Sequence, residues 1–164
     1  MDEMARAATI DDLKSLVRSL DANGVEYLLI GGFALAAHGY QRATTDIDLM
    51  VASTVEAGSR MKAALMVLPD QAAKDLEPEW FTEGENIRVG DDIIVDIMLN
   101  ANGQTYDTLK HYAQIVEVEG VPIRTVSLDG LLLTKRTMRD KDRMDCVVIE
   151  RALALVSRNK DDTP

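Results

Sequence analysis

Three aspartates carry the chemistry that this chain can do. Asp46 and Asp48 lie in Thr45-Asp46-Ile47-Asp48-Leu49-Met50-Val51, where they interrupt an otherwise apolar strand pattern. Alternate residues of a strand share a face, so the two carboxylates are expected to project together while Ile47, Leu49 and Val51 enter the core. Like charges a few ångströms apart repel, and such a pair is tolerated when a cation or an altered protonation state removes the penalty. The third acid, Asp96, sits in the middle of Ile93-Ile94-Val95-Asp96-Ile97-Met98-Leu99. An apolar run of this kind reads as a strand covered on both faces, where an unpaired charge is costly. If the two strands are neighbours, Asp96 completes a cluster with Asp46 and Asp48. Three oxygen ligands with open positions suit Mg²⁺, which binds through a few carboxylates together with substrate phosphates.

A glycine pair supplies the second half of such a site. Val25 to Ile30 reads as a buried strand, Phe33 to His38 as a short helix, and Gly31-Gly32 joins them. Without Cβ atoms the glycines let a phosphate approach the backbone, and the free N–H groups of the helix start favour an anion. A simple tight turn is the plain alternative for the pair taken alone.

Taken together, these residues resemble the minimal nucleotidyltransferases of the polymerase-beta superfamily. That signature is Gly-Gly or Gly-Ser after a strand, then Asp-hydrophobic-Asp, then hydrophobic-Asp-hydrophobic, matched here by Gly31-Gly32, Asp46-Ile47-Asp48 and Val95-Asp96-Ile97. The longer stretch through Phe33-Ala34, His38-Gly39, Arg42, Thr44-Thr45 and Leu49 looks most like the branch of AbiEii-type toxins and small antibiotic nucleotidyltransferases. The resemblance spans about residues 25 to 145. It implies an α/β (α+β) fold, a small mixed sheet with helices packed on it, and transfer of a nucleoside monophosphate from an NTP, with ATP as the guess, to an acceptor hydroxyl. Asp46, Asp48 and Asp96 would then be catalytic and hold two Mg²⁺ ions, with Gly31 and Gly32 on the phosphates. A family helix bearing a lysine, followed by an Arg-x-Lys-Asp-like stretch, is matched by Leu131 to Arg136 and Arg139 to Arg143. Lys135 is therefore expected near the triphosphate, a solvated lysine at a helix end being the alternative. Arg42 precedes the acid strand in the loop expected near the phosphates, and Thr45, beside Asp46, can hydrogen-bond a carboxylate or a phosphate. A nucleotide-sensing or partner-binding domain of a toxin-antitoxin-like module, without turnover, is the competing expectation.

Charge narrows the acceptor. The net charge is −10, and residues 1 to 123 hold 9 basic and 21 acidic side chains against 9 and 7 in residues 124 to 164. A protein that tracks long phosphate backbones usually has a basic surface, so bulk DNA or RNA binding is disfavoured. A small molecule, a protein hydroxyl or a tRNA end held by a local basic patch are the acceptors left open. No apolar stretch approaches the length of a membrane span, and Met1 to Arg6 lacks the charge pattern of a signal peptide, so a cytoplasmic location is expected. His38, His111 and the single Cys146 cannot build a conventional zinc cluster.

The elements around these residues follow from periodicity. A helix is expected over about residues 9 to 22, ended by Asn23-Gly24, and another over about 55 to 67, capped by Thr54 and stopped by Pro69. Residues 70 to 86 are acidic and irregular, with Trp80-Phe81 either walling a pocket or anchoring an edge loop. Ile87 to Val89 and Asp92 to Leu99 read as a hairpin around Gly90-Asp91, which leaves Asp91 and Asp92 as turn residues. Ala113 to Val118 and Val121 to Thr125 read as a second hairpin, a structural flap. One domain over residues 1 to 158 is expected, with a disordered tail over 159 to 164. The larger relatives' helical acceptor domain has no counterpart here, so a homodimer is one way to complete an acceptor site.

Overall fold

The computed structural model describes residues 5–40, 43–135 and 140–161. Six strands form one mixed sheet in the order β3-β4-β2-β1-β6-β5. The central strands are β1 (Leu28–Ile30), β2 (Ile47–Met50) and β4 (Ile94–Met98). β1 runs antiparallel to β2, and β2 runs parallel to β4. On one side β3 (Ile87–Gly90) pairs antiparallel with β4. On the other, β6 (Val121–Val126) runs parallel to β1 and pairs antiparallel with β5 (Ala113–Val118). The hairpin expected to be a flap is thus built into the sheet, because buried Val121, Ile123 and Val126 give β6 an apolar face to place beside β1. The Tyr27 hydroxyl reinforces that join by accepting the backbone N–H of Arg124 at 3.1 Å.

Helix α1 (Ile10–Ala22) begins in a capping box in which Thr9 and Asp12 each accept the other's backbone N–H. Its Leu13, Leu16, Val17 and Leu20 are buried, and Asn23 caps its end. Helix α3 (Val55–Leu65) starts where Thr54 accepts the Ala57 N–H at 3.1 Å. The segment after it is bound closely to the body. Gly58 of α3 has no room for a side chain, since a Cβ would come within 2.8 Å of the Pro78 backbone, and Phe81 is fully buried while Trp80 faces out. Of the two readings of Trp80-Phe81, the anchor therefore describes Phe81. The remaining helices are α2 (Gly31–Ala37), the single turn α4 (Tyr106–Leu109), α5 (Leu128–Lys135) and α6 (Asp140–Asp161). α5 contacts α2 and carries α6. Because α6 continues to Asp161, Asn159 to Asp161 are helical where a disordered tail was expected, and 162–164 lie outside the described residues. Among the described residues, no helix is long and apolar enough to cross a membrane.

The buried set is aliphatic, with Ile47, Leu49, Met50 and Val51 at or near full burial beside Val95 and Ile97. Consecutive buried residues on β1 and β2 mean that both faces of the centre are covered, as the continuous apolar runs require. Against this background two half-buried acids, Asp48 and Asp96, stand between apolar neighbours on β2 and β4.

Candidate active site

The register of the sheet brings the acids together. Ile30, Asp48, Asp96 and Arg88 lie side by side on β1, β2, β4 and β3, so Asp48 and Asp96 are direct neighbours on parallel strands. Asp48 is largely buried, and its carboxyl is pushed up to about 7 by that burial, then by the charge of Asp96 and a hydrogen bond between the two carboxyls. The charge of Lys135, at the end of α5, acts in the opposite direction, and Asp46 adds a smaller upward push. Four sequence-predicted residues, Asp46, Asp48, Asp96 and Lys135, therefore share one electrostatic neighbourhood.

Asp46 lies one residue ahead of β2, and its carboxylate is oriented by two partners. Thr45 donates its hydroxyl to Asp46 Oδ1 at 3.0 Å, and Arg88 Nη2 lies 3.4 Å from Asp46 Oδ2. Arg88 also grips Asp96, with Nε 2.9 Å from Oδ1 and Nη2 3.3 Å from Oδ2. Arg88 was not singled out by the sequence. A hairpin turning on Gly90-Asp91 alone pairs Arg88 with Ile93, whereas the observed turn spans Asp91 to Ile93 and pairs Arg88 with Asp96. Asp91 causes the difference: its buried carboxylate accepts the backbone N–H groups of Asp70, Ala72 and Asp92 at 2.7 to 2.9 Å, which removes it from a two-residue turn. Asp92 pairs with Arg6 and is remote from the cluster's hydrogen bonds.

The glycine pair has two structural duties. Gly31 has a φ of +74°, and a Cβ there would run into the Asp48 carboxylate. A Cβ on Gly32 would meet Thr44 Oγ1 at 2.6 Å and Thr44 Cβ at 2.7 Å. The space left by both side chains is thus filled by the protein itself, by the acid of β2 and by the loop leading to it. What the turn can offer a ligand is its backbone, since the first N–H groups of a helix have no intrahelical acceptor. His38, which follows α2, is bound through Nε2 to the Val126 carbonyl at 2.8 Å, a structural contact. Arg42 lies outside the described residues, as do Arg136 and Arg139.

Whether this donor set fits a divalent cation is a question of kind and of arrangement. In kind it fits: three carboxylates and no nitrogen or sulfur ligand match a hard cation. In arrangement, no group of three or more His, Cys, Asp or Glu side chains among the described residues is drawn together to hold a metal ion. The positive charge next to Asp46 and Asp96 is the guanidinium of Arg88.

No protein-family model matches the chain, and no curated protein matches it. A solved structure does. The crystal structure of a Thermotoga maritima protein described as a putative nucleotidyltransferase superposes with a TM-score of 0.51 over 93% of this chain and 92% of that one, at 16% identity. Likeness at that identity carries architecture alone. With the six-stranded mixed sheet and its flanking helices, it establishes that this chain has a nucleotidyltransferase fold.

Proposed function

We propose that this protein is a Mg²⁺-dependent nucleotidyltransferase that moves a nucleoside monophosphate from an NTP to an acceptor hydroxyl, with pyrophosphate leaving. The observation that carries the reading is the pairing of Asp48 with Asp96 on adjacent strands, beside a glycine turn that has no side chain where Asp48 lies. A half-buried pair of facing acids is costly to keep, and acid pairs of this sort are concentrated where charge is handled.

Asp46, Asp48 and Asp96 would hold Mg²⁺, two ions in the full arrangement. When bound, Mg²⁺ supplies neutralisation of the triphosphate and alignment of the acceptor oxygen. Asp96 would accept the acceptor's proton, and Asp48 would stay ionised once its repulsion with Asp96 is compensated. Lys135 brings a positive charge to the same neighbourhood, suited to the leaving pyrophosphate. The backbone of Gly31 and Gly32, with Arg42, would grip phosphates, and Thr45 would keep Asp46 turned into the site. Positioning and charge account for most of the acceleration in this chemistry.

The stretch from Gly31 to Leu49 supports the AbiEii-type and antibiotic nucleotidyltransferase branch, the chain length a single domain, and the lack of a long apolar stretch a cytoplasmic setting. The acidic front of the chain favours a small or protein acceptor over a nucleic acid and leaves a tRNA end as the third choice; a homodimer is one way to complete the acceptor pocket. ATP is taken as the donor.

One observation favours the second reading, a nucleotide-sensing or partner-binding domain of a toxin-antitoxin-like module: Arg88 already neutralises part of the acidic cluster without a cation. The two separate in one experiment. Wild type, Asp46→Asn and Asp48→Asn are incubated with each α-³²P-labelled NTP, Mg²⁺ and a cell extract split into small-molecule, RNA and protein fractions. Label that enters one fraction and depends on both acids supports transfer. Nucleotide binding without transfer from any NTP supports the sensing domain, and preserved transfer in Asp48→Asn refutes the catalytic assignment.

A further inference from the structure

We infer that Arg88 is a built-in competitor for the divalent cation, holding Asp46 and Asp96 until the cation displaces it, so that the arginine sets the affinity and not the identity of the metal site. This rests on the proposed use of the three acids as metal ligands. Arg88 meets Asp96 through two nitrogens, at 2.9 and 3.3 Å, and spans to Asp46 at 3.4 Å. Those contacts engage three of the four oxygens of two proposed ligands: both of Asp96 and Oδ2 of Asp46, whose Oδ1 is taken by Thr45. A guanidinium and a divalent cation compete for that set, because both draw on the same carboxylate charge and repel each other across it.

The placement of Arg88 makes it removable. β3 is an edge strand, its Val89 is buried and fixes the backbone, and the Arg88 side chain is 63% exposed. The guanidinium can therefore swing into water while the strand stays paired. Exposed ion pairs are individually weak, so the competition is modest in size. A residue needed to orient Asp96 as a ligand would act in the opposite sense: its loss would weaken the metal.

The sign of the effect is the test. Mn²⁺ binding to the full chain is measured by titration calorimetry for the wild type, Arg88→Gln, Arg88→Lys, Asp48→Asn and Arg60→Gln, with circular dichroism as the folding control. Arg60→Gln removes the same charge from helix α3, where Arg60 pairs with Glu56. The expected result is a Kd about tenfold lower in Arg88→Gln, a change under about threefold in Arg88→Lys because a lysine keeps the charge and loses the fork, and little change in Arg60→Gln. Unchanged or weaker binding in Arg88→Gln, or an equal gain in Arg60→Gln, overturns the inference while leaving the metal site standing. If neither the wild type nor Arg88→Gln binds Mn²⁺, the inference and the metal-site reading fall together. Binding that survives in Asp48→Asn at wild-type affinity also sinks both, since the cation would then lie elsewhere.

Discussion

Asp48 and Asp91 are both carboxylates drawn out of solvent, one on β2 and the other at the end of β3, and their surroundings treat them in opposite ways. Burial raises both. For Asp91 that push is more than offset by three backbone N–H groups, those of Ala72, Asp92 and Asp70, and the carboxyl ends below its ordinary value. Asp48 faces Asp96 instead of N–H donors and rises to about 7. A buried acid furnished with donors holds a loop in place; one furnished with another acid is a cost to the fold. Arg88 and Lys135 recover only part of that cost, since the Asp48 carboxyl still stands at about 7, and a cost left over inside the fold points to an external partner.

The contrast breaks most sharply on substitution. Asp48→Asn is expected to lower nucleotidyl transfer by about a thousandfold or more, the scale of losing a group aimed at the reacting charge, while urea denaturation shows a fold no weaker than the wild type. Gly31→Ala is expected to cost about 3 kcal/mol or more, since the left-handed backbone and the Asp48 carboxylate both oppose the added methyl group. Asp91→Ala should destabilise by about 2 to 3 kcal/mol, because it orphans three backbone donors. Denaturation midpoints check both.

The pH dependence sharpens the same comparison. Asp48 is raised in the folded state from 3.8 to about 7, so the stability it contributes is full below pH 3.8 and is lost as the pH climbs towards 7. Asp91 is lowered, so its contribution is present above its ordinary value and lost as the pH falls through the folded one. Between pH 5 and pH 8 the wild type should therefore lose about 1 to 3 kcal/mol that Asp48→Asn does not lose. Denaturant titrations at the two pH values, with and without Mg²⁺, measure this, and Mg²⁺ should restore more of the wild type's stability at pH 8 than at pH 5. The smallest effect is expected for Thr45→Val, which deletes one exposed hydrogen bond to Asp46: a severalfold loss in kcat and under about 1 kcal/mol in stability.

Much of this was legible from the chain. The apolar runs around Asp48 and Asp96 mark buried strands because period and composition are local properties, and the cap at Thr54 is read from a single side chain placed before a helical pattern. Arg88 was not legible. Its partner depends on a register set three residues away by Asp91, whose own ligands come from the distant segment Asp70 to Ala72. The placement of β6 beside β1 was equally out of reach, since a hairpin's sequence fixes its own turn and says nothing of the strand that receives it.

Local chemistry along the chain specifies which residues are acids in apolar strands, where helices begin, and that a glycine pair precedes the acids. These follow from side-chain chemistry and spacing within a few residues. Long-range packing is what sets Asp48 against Asp96, gives the space freed by Gly31 to a carboxylate, and brings Arg88 over the cluster. Those outcomes depend on strand order and register, which are set by the packing of the whole sheet and by hydrogen bonds between segments far apart in the chain.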